Sequence, residues 1–225
     1  MNMSEHQRRA YLEAMGIDVW VPRGQDDIEP DIEVPEVRAG GLDWQALRDC
    51  VAGCTRCELH AGRTQTVFGV GDPDADWMII GEAPGAEEDR RGEPFVGRAG
   101  HLLDEMLRTV GLSRDSVFIA NILKCRPPNN RDPKVDEVAA CRAYLERQIE
   151  LVAPKIIIAV GRVAAQNLLG TDAPVGRLRG KRHLLGEVPL IVTYHPAYLL
   201  RSPSQKRKSW DDLCLARSVV RELHA

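Results

Sequence analysis

The sequence predicts an α/β fold: a mainly parallel sheet with helices on both of its faces. Three observations carry that prediction. Four apolar runs of strand length occur, at residues 77–81, 117–123, 155–160 and 190–194. Helical stretches stand between or after them, at about 98–110, 132–151, 161–169 and 209–223. Strands alternating with helices bury their crossovers on both sides of a parallel sheet. The chain also has 225 residues, enough for one such domain with a sizeable core.

Taken in order, residues 5–15 read as a short helix with Tyr11, Leu12 and Met15 on one face, ended by Gly16. Residues 17–22 read as extended. Residues 23–41 are acidic and rich in Pro and Gly, which predicts a flexible linker. The chain therefore divides into residues 1–41, an N-terminal helix and linker whose apolar face is open to docking on the body or to a protein partner, and a domain at 42–225. Asp43 is a good N-cap for a helix that carries Leu47 and Val51 toward the first cysteines.

Composition narrows the function classes. Hydrophobic residues make up 44% and charged ones 28%, which excludes a disordered chain. The apolar runs are far too short for a membrane span. Six cysteines are too few for a disulfide scaffold and read as thiols or metal ligands in a reducing cytoplasm. Nine acids against four bases in residues 1–41 give that part a balance of −5, so the net charge of −3 leaves the remainder at +2. Two basic clusters, Arg177, Arg179, Lys181 and Arg182, then Arg201, Lys206, Arg207 and Lys208, flank His195. Solvated loop charge is the usual meaning of such runs; here they also suit transient phosphate contact.

Chemistry-bearing residues fall at the ends of predicted strands. Gly81-Glu82-Ala83-Pro84-Gly85 follows the run 77–80, leaving one carboxylate at the sheet edge where open α/β folds bind ligands. Phe95 follows in Glu93-Pro94-Phe95-Val96-Gly97-Arg98-Ala99-Gly100. Asn121 lies within the second run and His195 closes the fourth. A turn Asn, a core Phe and a structural His before Pro are the ordinary readings of these residues. Cys54 and Cys57 have metal-ligand spacing. Cys125 and Cys141, with fifteen residues between them, match neither a standard zinc finger nor a ferredoxin run.

The ordered set Gly-Glu-Ala-Pro-Gly, Pro-Phe-Val-Gly-Arg-Ala-Gly, Asn-Ile-Leu-Lys-Cys-Arg-Pro-Pro and His-Pro-Ala-Tyr-Leu-Leu-Arg, running from about Asp43 to the C-terminus, resembles the family 4 uracil-DNA glycosylases. Those are the iron–sulfur branch of their superfamily. The resemblance implies a three-layer α/β/α domain with a central four-stranded sheet, acting as a monomer on uracil-containing DNA, single- or double-stranded, and leaving an abasic site. It implies a pocket formed by Gly81, Glu82, Ala83, Glu88, Phe95, Asn121 and His195. In it Asn121 reads the uracil edge, Phe95 stacks on the base, His195 donates to O2 and Glu82 positions water. Glu88 crowds the thymine methyl, with Glu88 and Asp89 as reserve carboxylates. Ala83 stands where the better-known branch carries a second carboxylate. Leu199 and Leu200 are implied as a wedge into the gap of a flipped base, with Arg201, Arg179 and Lys181 on phosphates. Cys54, Cys57, Cys125 and Cys141 are implied as ligands of a structural [4Fe–4S] cluster, zinc being the plainer alternative. Cys50 and Cys214 are read as buried apolar residues. The covalent uracil-trapping relatives carry a basic insert where this chain has Cys125-Arg126-Pro127-Pro128, which excludes trapping. A relative with a different base choice and a zinc-stapled DNA-binding module are the competing readings.

Overall fold

The computed structural model describes residues 39–224, with Met15 ahead of them. Two compact units divide the chain, Met1–Glu33 and Val34–Ala225, and all described residues except Met15 fall in the second. The expectations for residues 1–38 lie outside the described residues, Met15 apart.

The second unit begins with helix α1 (Trp44–Ala52), whose first turn is capped by Asp43, its Oδ1 accepting from Ala46 N–H at 2.8 Å. Residues 39–41, expected at the end of the linker, belong to this packed unit. Ala39 is buried in the core, Leu42 N–H donates to its carbonyl, and Arg147 Nε donates to the Leu42 carbonyl at 2.8 Å.

Strands β1 (Val70–Gly71), β2 (Trp77–Gly81), β3 (Phe118–Asn121), β4 (Ile156–Val160), β5 (Arg182–Leu185) and β6 (Val188–Thr193) form one sheet in the order β1-β3-β2-β4-β6-β5. Its four central strands are parallel, as the sequence predicts. Two antiparallel edge strands, β1 and β5, were not legible: one is two residues long, and the other alternates exposed and half-buried side chains.

Side chains alternate across the sheet and build two cores. Met78, Ile80, Ala120, Ile157, Ala159, Leu190 and Val192 pack against α1, α4 (Val135–Val152) and α5 (Arg162–Leu169). Trp77, Ile79, Ile119, Ile158 and Ile191 pack against α3 (Arg98–Arg108), α7 (Pro196–Arg201) and α8 (Lys206–Leu223). Short helices α2 (Ala86–Arg91) and α6 (Val175–Leu178) complete three layers. Among the described residues no helix is long and apolar enough to cross a membrane.

The register sets up the site. Gly81 pairs with Asn121, Ile80 with Ala159, and Val160 with Thr193. The four central strands therefore end in one row, and the residues that follow them gather at one edge.

Candidate active site and thiol centre

A cleft of about 510 Å³ opens at that edge. It is lined by Glu82, Ala83 and Gly85 after β2, Asn121 at the end of β3, Glu88 on α2, and Phe95. His195 and Arg201, at the two ends of α7, close the other side. The strand ends thus bring six of the seven pocket residues expected from sequence together. The seventh, Gly81, stands directly behind. A Cβ there would lie 2.5 Å from Asn121 Oδ1 and 2.6 Å from Phe95 Cζ, so only glycine admits both side chains.

Asn121 is buried, and its Oδ1 has no hydrogen-bond partner among the described residues. An orphaned amide oxygen of this kind costs about 1–3 kcal/mol until a donor arrives. Phe95 holds φ +54°, a left-handed conformation that costs a non-glycine residue about 1–2 kcal/mol. Three residues, Arg114, Gly100 and Glu88, hold it there. Arg114 Nη1 donates to the Phe95 carbonyl at 3.1 Å, and Arg114 also donates to the Pro94 carbonyl. A Cβ at Gly100 would sit 1.7 Å from the Phe95 oxygen, so Gly100 makes room for the bend. Glu88 Oε1 accepts from the N–H groups of Val96 and Gly97 at 3.0 and 3.1 Å.

His195 caps α7. Its Nδ1 accepts from Ala197 N–H at 3.1 Å, which leaves the ring proton on Nε2. Burial first, and then the Arg201 charge, bring its pKa down to about 4, so the ring is neutral at physiological pH. Its plane stacks on Phe95 with centroids 5.6 Å apart. Gly161, at φ +92°, lets β4 pass close beneath it, since a Cβ would meet His195 Cβ at 3.0 Å.

Burial pushes the Glu82 pKa up, the Asp132 carboxylate pushes it further, and Arg162 partly opposes both. Asp132 was not singled out from sequence. It was assigned to the helix expected from residue 132, but α4 starts at Val135, and Asp132 lies in the preceding loop on the cleft wall, 2.5 Å from Arg162. The same loop brings Asn130 to the cleft. Asn129 and Asn130 both adopt positive φ, and an Asn-Asn pair after two prolines was the available signal of that bend.

Some expected roles do not survive the packing. Leu199 is 0% exposed, inside the core with Met106 and Leu213, because α7 turns it inward; Leu200 and Tyr198 are the exposed apolar side chains of that tip. Arg179 is tied by two hydrogen bonds to the buried Asp212, at 3.0 and 2.8 Å, and so braces α8 rather than facing solvent. Lys181 and Arg201 are exposed. Asp89 is no reserve for water activation, because its buried carboxylate accepts from Thr64 N–H.

The four cysteines expected as ligands line one cavity beneath the cleft. Arg63 Nη1 donates to Cys125 Sγ at 3.1 Å, a hydrogen bond of the kind that orients a thiolate ligand. Burial pushes the thiols of Cys57 and Cys125 up and that of Cys141 to about 12, so they lose their protons only to a bound cation. Among the described residues no group of three ligating side chains converges on a single ion. Cys50 packs beside them, its S–H donating to Tyr144 Oη at 3.9 Å.

The sequence model described as Uracil DNA glycosylase superfamily matches residues 68–215, which include every element from β2 to α7. The chain belongs to the uracil DNA glycosylase superfamily. Among its relatives, a type-4 uracil-DNA glycosylase of Archaeoglobus fulgidus is 45% identical over 170 residues, covering 72% of this chain and 85% of that protein. Another, from Thermotoga maritima, is 44% identical over 182 residues, covering 79% and 95%. A type-5 uracil-DNA glycosylase of Thermus thermophilus is more distant, at 34% over 149 residues, covering 57% and 68%.

Proposed function

We propose that this chain hydrolyses the N-glycosidic bond of uracil in DNA and leaves an abasic site. The observation that carries the reading is the unpartnered Asn121 amide oxygen, buried in a cleft walled by an aromatic ring, a neutral imidazole and a carboxylate. Uracil offers N3–H to that oxygen and O4 to the amide N–H. Cytosine reverses both groups and would leave the buried amide mispaired. Phe95 stacks on the base. Glu88, held beside Gly85 and the Val96–Gly97 amides, closes the side where a 5-methyl group would sit.

A base inside a duplex cannot reach this cleft, so it leaves the stack first. Leu200 and Tyr198, exposed at the α7 tip, fill the space it vacates, and Arg201 meets a neighbouring phosphate. As the bond breaks, negative charge develops on the uracil and positive charge on the sugar. His195 Nε2–H donates to O2, and its neutrality suits a donor that meets charge only as it forms. Ionised Glu82 positions the attacking water and offsets the cationic sugar, with burial first, then Asp132 and Arg162, setting its proton affinity. Cys54, Cys57, Cys125 and Cys141, which line one cavity, would hold a [4Fe–4S] cluster. Its contribution when bound is a covalent staple between the α1 segment and the loop after β3. Residues 1–40 hold none of these groups and are open to a protein partner.

The test is incubation of the purified protein with an oligonucleotide carrying one uracil, then alkali. Strand cleavage at that position is expected; an intact strand overturns the reading.

A further inference from the structure

Between the cleft and the thiol centre lies a buried lysine. Lys124 is 1% exposed, and its Nζ donates to the Asn121 carbonyl at 2.8 Å and to Gln148 Oε1 at 2.6 Å. Gln148 in turn donates from Nε2 to the Phe68 carbonyl at 2.8 Å. Both acceptors of Nζ are neutral carbonyl oxygens. Burying an amine on such partners costs stability that an apolar side chain of equal length would not. A purely architectural role is therefore a poor explanation.

The position of the bond is informative. Strand β2 caps the end of β3 through Ile122 N–H on the Gly81 carbonyl and Leu123 N–H on the Glu82 carbonyl. The Asn121 carbonyl belongs to neither bond, and Lys124 takes it. The Asn121 side chain has no slack on its other flank, because the Gly81 backbone stands too close for even a Cβ. The main chain of Lys124 is held as well: its carbonyl accepts from Val67 N–H at 2.8 Å. Lys124 also lines the thiol cavity, so one residue joins the thiol centre to the residue that faces the base.

We infer that Lys124 is a positioning residue for uracil recognition, holding the Asn121 amide in register with the base through the chain Phe68–Gln148–Lys124–Asn121. The inference rests on the uracil reading of the cleft. It is tested on the metal-loaded protein with Lys124→Met, which keeps the stem and removes the donor. Free uracil is the probe, with affinity for abasic-site DNA and metal content measured alongside. Uracil affinity should fall roughly three- to tenfold, as one lost hydrogen bond gives, while abasic-site affinity and metal content hold. Unchanged uracil affinity, or an equal loss on uracil and abasic DNA, overturns the inference. Should Lys124→Met yield no folded protein, Gln148→Met decides by the same readout: it slackens the far anchor of Nζ and should weaken uracil binding, and wild-type affinity there overturns the inference. Uracil binding by the unaltered protein, measured in parallel, separates failure of this inference from failure of the functional reading.

Discussion

The main-chain N–H of Ala197 donates to Nδ1 of His195 at 3.1 Å, and this one bond decides which ring nitrogen faces the cleft with a proton. The N-cap of a short helix thereby becomes a donor preset for O2 of a departing base. His195→Ala is expected to slow single-turnover excision by about a hundred- to a thousandfold, some 3–4 kcal/mol, and to leave affinity for uracil-free DNA nearly unchanged. A loss confined to DNA affinity or melting temperature would remove His195 from the catalytic groups.

The pH dependence separates His195 from Glu82. The His195 pKa falls from 6.5 in the unfolded chain to about 4 in the fold. Its neutral form therefore contributes stability that is present above pH 6.5 and is lost as pH falls through 4. Replacement by Leu should flatten that part of the stability curve. The rate, by contrast, needs ionised Glu82, whose pKa is raised above 4.5. Asp132→Asn should shift the acid limb of the rate profile to lower pH, since it removes a neighbouring negative charge. A limb that stays in place refutes the coupling of Asp132 to Glu82.

Asn121→Ala should lower both uracil affinity and excision, because the pocket loses its reading amide. Asn121→Asp should shift choice toward cytosine, whose amino group a carboxylate accepts. Full activity of Asn121→Ala on uracil-containing DNA would exclude Asn121 as the reader.

Gly81→Ala should be nearly as damaging, though the residue touches no substrate. A methyl group 2.5 Å from Asn121 Oδ1 and 2.6 Å from Phe95 Cζ displaces both walls of the pocket. Uracil binding should fall sharply while metal content stays at the wild-type level. Normal kinetics for this variant would show that the two side chains have room to retreat.

Cys54→Ala should reduce soluble yield and metal content more than the rate per folded, loaded molecule, because metal binding contributes to folding. Arg63→Gln removes the donor on Cys125 and should speed metal loss to a chelator. Full iron content and unchanged stability in Cys54→Ala would exclude that cysteine from the ligands.

How much of this was legible in the chain follows from how local each signal is. The apolar runs, their alternation with helical stretches and the Asp43 cap are patterns within a few residues, and they yielded the parallel core and helix α1 correctly. The strand-end residues Glu82, Asn121 and His195 were readable for the same reason. Parallel strands joined by crossovers end on one side, so residues scattered over more than a hundred positions had to meet at one edge. Tertiary packing decided the rest. Leu199 and Leu200 are identical in sequence terms, and only the docking of α7 on α3 sends one into the core and the other to the surface. Arg179 looks like any loop cation until Asp212, thirty-three residues later, is found beside it. Asp132, Arg114 and Lys124 act through partners distant in the chain or through a loop whose path no periodicity encodes. The sequence by itself determined the elements and the chemistry available at their ends; side-chain partnership, which depends on distances between elements, existed only once the sheet had brought them together.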